Sequence, residues 1–282
     1  MTLIIDVLMP VGEPAYLAAA SRELETYHAA FGARGMTLRA RPWTDGPGDG
    51  DATLALFAWG YHLDVAKWRA MISGWPAARP LFNPAALLDW NTCKTYLLEL
   101  EAAGVPILPS IFGRADADSV AAAFDRFGVD ELVVKPQISG GSFRTERVAR
   151  GSVIKPLDDA IIQPFIPAVS GEGELSFLLI GGVLSHAVRK VAIAGDFRVQ
   201  PQFGGVFTRF DPDAAQLALV GKVMAALPGR PLYARVDLLR LPDGTLALME
   251  LEAIEPDLYP HLEPEVPALL ADALANALAG LR

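Results

Sequence analysis

The chain has little cysteine and no concentration of positive charge. Cys93 is the single cysteine in 282 residues, which excludes an internal disulfide and a metal site built from several thiolates. The formal net charge is −9 and no run of lysine and arginine occurs. A general nucleic-acid binder needs a basic surface to neutralise phosphates, so a nucleic-acid partner is not expected.

Long apolar runs are also absent. No stretch approaches the roughly 20 uninterrupted apolar residues of a membrane helix, so no membrane partner is expected. The first seven residues lack the positive region and apolar core of a signal peptide. With one cysteine, these features predict a cytoplasmic protein. Chain pairing cannot be read from the sequence, and a homodimer is the general expectation.

The composition supplies ample material for a packed core, and the length predicts two or three compact units. In the first unit, residues 1–83, strands and helices alternate, which predicts a parallel sheet with helices on its faces. The predicted strands and helices are Leu3 to Met9, Pro14 to Phe31, Thr37 to Arg41, Ala52 to Ala58 and Leu63 to Ser73.

Two further units, residues 84–166 and 167–282, mix strand pairs with helices. A helix predicted from Thr92 to Ala103 places Lys94 near its start, and a strand is predicted from Val105 to Leu108. The turn Asp243-Gly244 separates two strands of a predicted hairpin. The fold class is therefore α/β, with an N-terminal parallel domain followed by two α+β subdomains.

Two lysines and a glycine loop form the first candidate site. Lys135 ends a predicted strand and is followed by the loop Ser139-Gly140-Gly141-Ser142. Such a loop lets backbone amides approach phosphate oxygens, and Lys94 and Lys135 would add positive charge. A plain hairpin turn explains the loop equally well. The chain lacks a Walker loop and a GxGxxG dinucleotide fingerprint.

Three carboxylates form the second candidate site. Asp237 lies on one predicted strand, while Glu250 and Glu252 lie two residues apart on its hairpin partner. This spacing places both glutamates on one face, where pairing can bring Asp237 beside them. No lysine interleaves with them, and oxygen ligands suit Mg²⁺ shared with nucleotide phosphates. A solvated sheet face is the alternative interpretation.

The order of these motifs resembles the ATP-grasp superfamily, in the branch of bacterial glutathione synthetase and the glutamate ligase that modifies ribosomal protein. Some segments are more similar still to the subgroup that contains the D-cycloserine biosynthesis ligase. The resemblance covers about residues 83–260. It rests on Asn91-Thr92-Cys93-Lys94, Val133-Val134-Lys135-Pro136, Gln163-Pro164-Phe165-Ile166, Gly173-Glu174, His186-Ala187-Val188-Arg189-Lys190, Gly195-Asp196-Phe197-Arg198, Gly204-Gly205 and the Asp237/Glu250/Glu252 set.

The resemblance implies an ATP-grasp fold whose two subdomains clasp ATP, with a role for each matched position. Lys94 and Lys135 would hold the α- and β-phosphates, and the glycine loop would close over the β/γ end. Glu174 would accept hydrogen bonds from the ribose. The segment from Gln163 to Ile166, mainly through the backbone of Phe165 and Ile166, would read adenine. Asp237, Glu250 and Glu252 would hold two Mg²⁺ ions, for which Mn²⁺ could substitute.

Two departures from the glutathione synthetase branch stand out. That branch usually has asparagine at the position of Glu252 and a small residue at the position of Arg235. Arg198, Arg189 and Lys190 are the candidates for stabilising the transferred phosphoryl group and the second step. An exposed hairpin end is the alternative interpretation for Arg189 and Lys190.

The substrate side is predicted from the first unit. Ligands meet the loops beyond the carboxyl ends of parallel strands, and one such loop carries Trp59, Tyr61 and His62. These residues suit a small polar molecule, although a structural aromatic cluster is an equal alternative.

Three functions follow from these sites and from the resemblance. The first is an ADP-forming ligase that activates a small-molecule carboxylate as an acyl phosphate for attack by an amine or related nitrogen nucleophile. The second is an intramolecular ring closure of the D-cycloserine type. The third is a nucleotide-binding protein without ligase activity.

Overall fold

The N-terminal part of the chain forms a parallel sheet, as the sequence predicts. The computed structural model describes residues 2–193, 198–199 and 204–281. Four strands lie in the order β2-β1-β3-β4, all parallel. They are β1 (Leu3–Met9), β2 (Met36–Pro42), β3 (Ala52–Leu54) and β4 (Leu81–Phe82), with helices α1 (Pro14–Gly32) and α2 (Val65–Ser73).

The third strand is shorter than the sequence predicts. Instead of continuing to Ala58, it ends at Leu54. Residues 55–58 are buried but turn away from the sheet, and Ala58 N–H donates to Ala55 O at 2.9 Å. An apolar run that is buried throughout does not distinguish a strand from a buried turn. This turn places the segment from Trp59 to His62 beyond the carboxyl end of β3.

The middle of the chain forms an antiparallel sheet, after two short helices, α3 (Ala85–Thr92) and α4 (Tyr96–Ala102). The strand order is β5-β8-β6-β7. The elements are β5 (Ile111–Ala115), α5 (Ala117–Phe127), β6 (Glu131–Pro136), β7 (Glu146–Ala149) and β8 (Leu157–Pro164). On β6, Leu132 and Val134 are buried in a cluster with Phe124 of α5, so Val133 and Lys135 point to the opposite face.

The C-terminal part forms a second antiparallel sheet, in the order β11-β10-β9-β12-β13. Asp237 lies directly opposite Glu250, and Arg235 lies opposite Glu252. The elements are β9 (Glu174–Ile180), β10 (Val183–Val191), β11 (Val206–Phe210), α6 (Ala214–Ala225), β12 (Tyr233–Arg240), β13 (Leu246–Glu252) and α7 (Val266–Ala279). No helix in the described ranges combines the length and the apolar character needed to cross a membrane.

Side chains from helices α3 and α4 cover the outer edge of β13. The Tyr96 hydroxyl contacts both N and O of Leu251 at 2.9 Å, and Asn91 donates to Leu251 O. The predicted helix from Thr92 to Ala103 begins later, at Tyr96, and Lys94 lies in the break between α3 and α4. The predicted strand at residues 105–108 is a single bridge from Ile107 to Leu248. These polar contacts satisfy backbone groups that an edge strand leaves unpaired.

Residues 96–107 share a buried cluster with the C-terminal sheet. They pack there although the sequence-based limits assign them to the middle unit. The division into residues 1–83, 84–166 and 167–282 stays a prediction.

Asn83 joins the N-terminal sheet to the C-terminal one. Its side chain is 0% exposed, and Nδ2 donates to Tyr233 O and Ala253 O, both at 2.8 Å. Its Oδ1 accepts from Leu232 N–H. The same Oδ1 accepts from Tyr233 N–H at 3.4 Å, so one amide contacts four buried backbone groups.

We expect Asn83→Ala to lower the free energy of unfolding by about 3 kcal/mol or more, because it leaves these backbone groups without partners. Urea unfolding of both proteins measures the difference. Asn276→Ala, at an exposed position of α7, is the matched control and should change stability by less than about 0.5 kcal/mol. Equal stability of the two variants would contradict the proposed role of Asn83.

Candidate active site

One cavity brings together nearly all the residues that the sequence singles out. It has a volume of about 370 Å³ and is lined by both antiparallel sheets and by the loop after β3. The predicted site residues that line it are Trp59, Tyr61, His62, Lys94, Lys135, Ser139, Gly140, Gly141, Ser142, Gln163, Phe165, Ile166, Glu174, Lys190, Arg198, Asp237, Glu250 and Glu252.

Arg189 is the predicted site residue that the structure does not bring to this cavity. Successive side chains on a strand point to opposite faces, and Lys190 occupies the inward face of β10. Lys190 is 3% exposed, whereas Arg189 is exposed and lies 5.8 Å from the ring centre of Phe210. The alternative interpretation of an exposed position holds for Arg189, and its predicted catalytic role does not fit this geometry.

Lys94 contacts both sides of the cavity. Its N–H donates to Gln137 O at 2.8 Å, which ties it to the end of β6. Its ammonium donates to Ser139 O at 2.7 Å and lies 3.1 Å from Glu250 Oε1. Lys94 therefore links the glycine loop of one sheet to the acidic strand of the other.

Lys135 presents a positive charge that the described residues leave without a close partner. It is 8% exposed, and no hydrogen bond or ion pair within 4.0 Å involves its ammonium in the described ranges. Burial lowers the pKa of Lys135; Glu250 opposes this shift and Lys94 adds to it. A buried cation that faces a cavity is a suitable partner for an anionic ligand.

The predicted acidic set is surrounded by cations. Arg235 Nη2 lies 3.0 Å from Asp237 Oδ2 and 2.5 Å from Glu252 Oε1. Lys190 Nζ lies 3.4 Å from Asp237 Oδ1. Burial alone would raise the pKa of Asp237, but the charges of Arg235 and Lys190 lower it to about 2. No lysine interleaves with these carboxylates in the sequence; Lys94 and Lys190 come from other segments, and Arg235 shares the strand of Asp237.

The carboxylates of Asp237, Glu250 and Glu252 fit a metal ion only together with further ligands. In the part of the chain that the structure describes, no group of three or more His, Cys, Asp or Glu is placed to hold a metal ion by itself. The side chains of Glu250 and Glu252 are 22% and 25% exposed and line the cavity, while Asp237 is 1% exposed. Mg²⁺ commonly binds one or two carboxylates together with phosphate oxygens and water. The donors therefore fit Mg²⁺ that arrives with a nucleotide.

One end of the cavity is apolar. It is formed where the two antiparallel sheets meet, and Gln163 closes it by donating from Nε2 to Ser110 Oγ at 2.8 Å. Phe165 N–H donates to Glu131 O at 3.0 Å, and the Arg147 guanidinium lies 3.8 Å from the Phe165 ring centre. Glu174, nearby, is buried in an ion pair with Lys190. The apolar lining residues are Leu108, Val133, Ile166, Val169, Leu239 and Met249.

The opposite end is formed by the loop after β3. Trp59 Nε1 donates to Glu255 O at 3.0 Å, and Tyr61 packs on Trp68 with ring centres 5.0 Å apart. This loop therefore fits both interpretations, a structural aromatic cluster and a substrate-binding loop, because its rings pack together and also line the cavity. His62 is 8% exposed, and neither ring nitrogen has a hydrogen-bond partner in the described ranges. Burial, with a smaller effect of Lys94, lowers the pKa of His62 to about 4.

Arg198 is partly buried and lines the cavity. The preceding motif residues Gly195, Asp196 and Phe197 lie outside the described residues. Sequence reasoning did not assign Glu255 and Asp257 to the site, although both line the cavity. A signal for them was present in the sequence, because both carboxylates come shortly after Glu250 and Glu252 and no lysine or arginine lies near them in the chain.

Comparisons with known proteins agree with this geometry. No family model matches the chain. The cycloserine biosynthesis protein DcsG of Streptomyces lavendulae is 29% identical over 269 residues, which is 86% of this chain and 90% of that protein. The crystal structure of D-cycloserine synthetase DcsG matches with a TM-score of 0.83 and 25% identity, covering 98% of this chain and 99% of the other.

Two more distant structures share the fold. D-alanine–D-alanine ligase from Bacillus anthracis matches with a TM-score of 0.70 at 16% identity, over 99% of this chain and 98% of the ligase. The ATP-grasp ligase PsnB, in complex with a precursor variant, Mg and ADP, matches with a TM-score of 0.68 at 16% identity, over 98% and 99% of the two chains.

The chain has the fold of the ATP-grasp ligases. Within that class, the chain is related in sequence and in structure to the cycloserine ligase DcsG.

The neutral state of His62 makes stability depend on pH. In the unfolded chain His62 has its ordinary pKa of 6.5, and in the folded chain about 4. Between these values the unfolded state binds more protons, so the free energy of unfolding falls as the pH is lowered. The contribution of His62 is on the order of 3 kcal/mol at most.

We therefore expect His62→Gln to flatten the dependence of stability on pH between 6.5 and 4, measured by urea unfolding at several pH values. His28→Gln, at an exposed position of α1, is the control and should keep the wild-type slope. An unchanged slope for His62→Gln would show that the ring is not held neutral.

Proposed function

We propose that the protein transfers the γ-phosphoryl group of ATP to a small-molecule carboxylate and joins the resulting acyl group to a nitrogen nucleophile. ADP and phosphate are the other products. The observation that carries this proposal is electrostatic: Lys94 and Lys135 line the same cavity as the carboxylates of Asp237, Glu250 and Glu252, and Lys94 pairs with Glu250. A chain of this class needs fixed cations and metal ligands around a single triphosphate.

The first step needs charge compensation more than covalent chemistry. An oxygen of the substrate carboxylate attacks the γ-phosphorus, the bond from that phosphorus to the bridging oxygen breaks, and ADP leaves with the electron pair. Lys135, which has no close anionic partner in the described ranges, would bind the phosphates with Lys94. The backbone amides of residues 139–142 would face the β/γ end.

The apolar end of the cavity is suited to adenine. A flat heterocycle would lie between Val133 and Ile166 on one side and Leu239 and Met249 on the other. Backbone groups of the segment from Gln163 to Ile166 would read its edge. Glu174 would accept from the ribose, provided that it exchanges part of its contact with Lys190.

The carboxylates of Asp237, Glu250 and Glu252 would hold Mg²⁺. When bound, Mg²⁺ neutralises charge on the β- and γ-phosphates. Glu250 and Glu252 have cavity-facing oxygens for this purpose, whereas Asp237 would act mainly through its contacts with Arg235 and Lys190. The presence of two ions, and the use of Mn²⁺ as a substitute, remain predictions from the sequence.

In the second step a nitrogen attacks the acyl carbon, the bond to the phosphate oxygen breaks, and the nitrogen loses one proton. Arg198 lines the cavity and would stabilise the negative charge that develops on the acyl oxygen. Lys190 is buried between Glu174 and Asp237, so its role would be to fix those carboxylates. The cytoplasmic location and a homodimeric state remain predictions.

Ring closure is a second candidate function. The relative DcsG is named as a D-cycloserine synthetase, so in that protein the product is a ring. The chain covers 90% of the length of DcsG at 29% identity. In this reaction the carboxylate and the nitrogen belong to one substrate molecule, and the chemistry of both steps is unchanged.

We expect phosphate release when the protein is incubated with ATP, Mg²⁺ and pools of amino acids, hydroxy acids and amines. Release with one compound, and a product lighter than that compound by one water, would identify ring closure. Release that requires two compounds would identify intermolecular ligation. Binding of ATP without release in any pool would favour a nucleotide-binding protein and would overturn the ligase proposal.

Lys135→Ala should lower kcat/KM for ATP by about 100- to 1000-fold, because it removes a fixed charge from the transferred group. The fold should stay intact, since the described residues show no close partner that the change would leave unpaired. Lys155→Ala, at an exposed position, is the control and should keep wild-type ADP formation. Near-native turnover of Lys135→Ala would remove this lysine from the phosphate site.

A further inference from the structure

The apolar end of the cavity lies where the chain passes from the middle antiparallel sheet to the C-terminal one. Phe165 is held by the middle sheet, because its N–H donates to Glu131 O at 3.0 Å and continues the pairing of β6 with β8. Ile166 instead shares a buried cluster with Leu239 of β12 and Ala247 of β13. The backbone of Phe165 and Ile166 therefore spans the junction between the two sheets.

An arginine of β7 contacts this junction from the side. The guanidinium carbon of Arg147 lies 3.8 Å from the ring centre of Phe165. Its Nη2 donates to Glu131 Oε2 at 2.6 Å. Glu131 therefore binds Phe165 through its carbonyl oxygen and Arg147 through its carboxylate. We call these three residues the arginine brace.

The strand register places the arginine brace on the cavity face of the middle sheet. Arg147 lies opposite Val133, and Val133 lies opposite Gln163. Both Val133 and Gln163 line the cavity. Glu131 is two residues before Val133 on the same strand, so its side chain lies on the same face. The side chain of Arg147 is 36% exposed, which places the brace at the solvent-accessible rim of the apolar end.

A second arginine of the same sheet makes similar contacts on the other face. Arg150 lies 5.0 Å from the ring centre of Phe124 and 2.8 Å from Asp125 Oδ1. Phe124 belongs to the buried cluster that α5 forms behind the sheet. Of these two arginines, Arg147 is the one that contacts a ring of the cavity wall.

The geometry of the brace is better suited to positioning than to stability. An ion pair between exposed side chains contributes little to the free energy of folding. A planar guanidinium, however, can stack on an aromatic ring while its donors pair with a carboxylate. Phe165 is then fixed twice, at its backbone N–H and at its ring. A ligand that meets a pre-ordered segment loses less free energy in ordering it.

We propose that Arg147 is a positioning residue for the nucleobase: through Phe165 it fixes the backbone of Phe165 and Ile166 in the geometry that reads the edge of the base. This inference rests on the proposed function, which places adenine at the apolar end. It does not depend on which carboxylate or nitrogen reacts. Because Arg147 acts at the base, its loss should leave the contacts of the phosphates intact.

The test compares two ligands that share phosphates and differ in the base. Isothermal titration calorimetry on the full chain, with Mg²⁺ present, measures the Kd of ADP and the Kd of inorganic tripolyphosphate. We expect Arg147→Ala to raise the Kd of ADP by about 10-fold and to leave that of tripolyphosphate unchanged. The fold should stay intact, because Arg147 is exposed.

Arg150→Ala is the matched control, since it removes a stacked and paired arginine from the other face of the same sheet. It should keep the wild-type Kd of both ligands. An unchanged Kd of ADP in Arg147→Ala would overturn the inference. An equal loss of affinity for ADP and tripolyphosphate, or the same loss in Arg150→Ala, would also overturn it, because each indicates a general change of structure.

Failure of the proposed function gives a different result. Wild-type protein that binds tripolyphosphate but not ADP would refute the adenine site, and the role of Arg147 with it. A selective loss of ADP affinity in Arg147→Ala, without phosphate release by the wild type in the pools described above, would refute the ligase reaction and support the role of Arg147.

Discussion

The site depends on the balance of charge along one wall of a buried cavity. Asp237, Glu250 and Glu252 lie side by side because β12 and β13 pair in a register that places Asp237 opposite Glu250. Arg235 pairs with Asp237 and Glu252, and Lys94 pairs with Glu250, so all three carboxylates have a cationic partner. Removing one partner of a buried ion pair costs about 3–5 kcal/mol, because it leaves an uncompensated charge. The same contacts therefore stabilise the hairpin and fix the direction of its carboxylates.

Polar side chains from a distant part of the chain determine where those charges lie. Tyr96 and Asn91 bind the backbone of β13, and Asn83 binds that of Tyr233 and Ala253. Lys94 lies between Asn91 and Tyr96 in sequence, so its position follows from edge coverage of the sheet. Lys94 therefore reaches Glu250 because its neighbours in sequence form hydrogen bonds with the unpaired backbone groups of β13.

Much of this arrangement could be predicted from the sequence, and the failures have identifiable causes. Alternation of strands and helices gave the parallel sheet, and the two-residue spacing of Glu250 and Glu252 gave their common face. The spacing of apolar residues alone could not show that the chain turns after Leu54, because buried turns and buried strands are both apolar throughout. Nor could it pair Arg235 with Glu252, because that contact depends on strand register. Arg189 was chosen by its charge, whereas the alternation of β10 gives the inward face to Lys190.

The cavity as a whole has a gradient of polarity that orders the reactants. Its apolar end suits an uncharged heterocycle, and the middle has the buried cation Lys135. The far end has the carboxylate of Glu255, without a cation in the described ranges. A triphosphate that entered in the reverse direction would place negative charge beside Glu255, at a cost that grows as water is excluded. On the proposed function, the triphosphate therefore lies with its negative charge toward Lys135 and away from the carboxylate of Glu255, which sets its direction along the glycine loop.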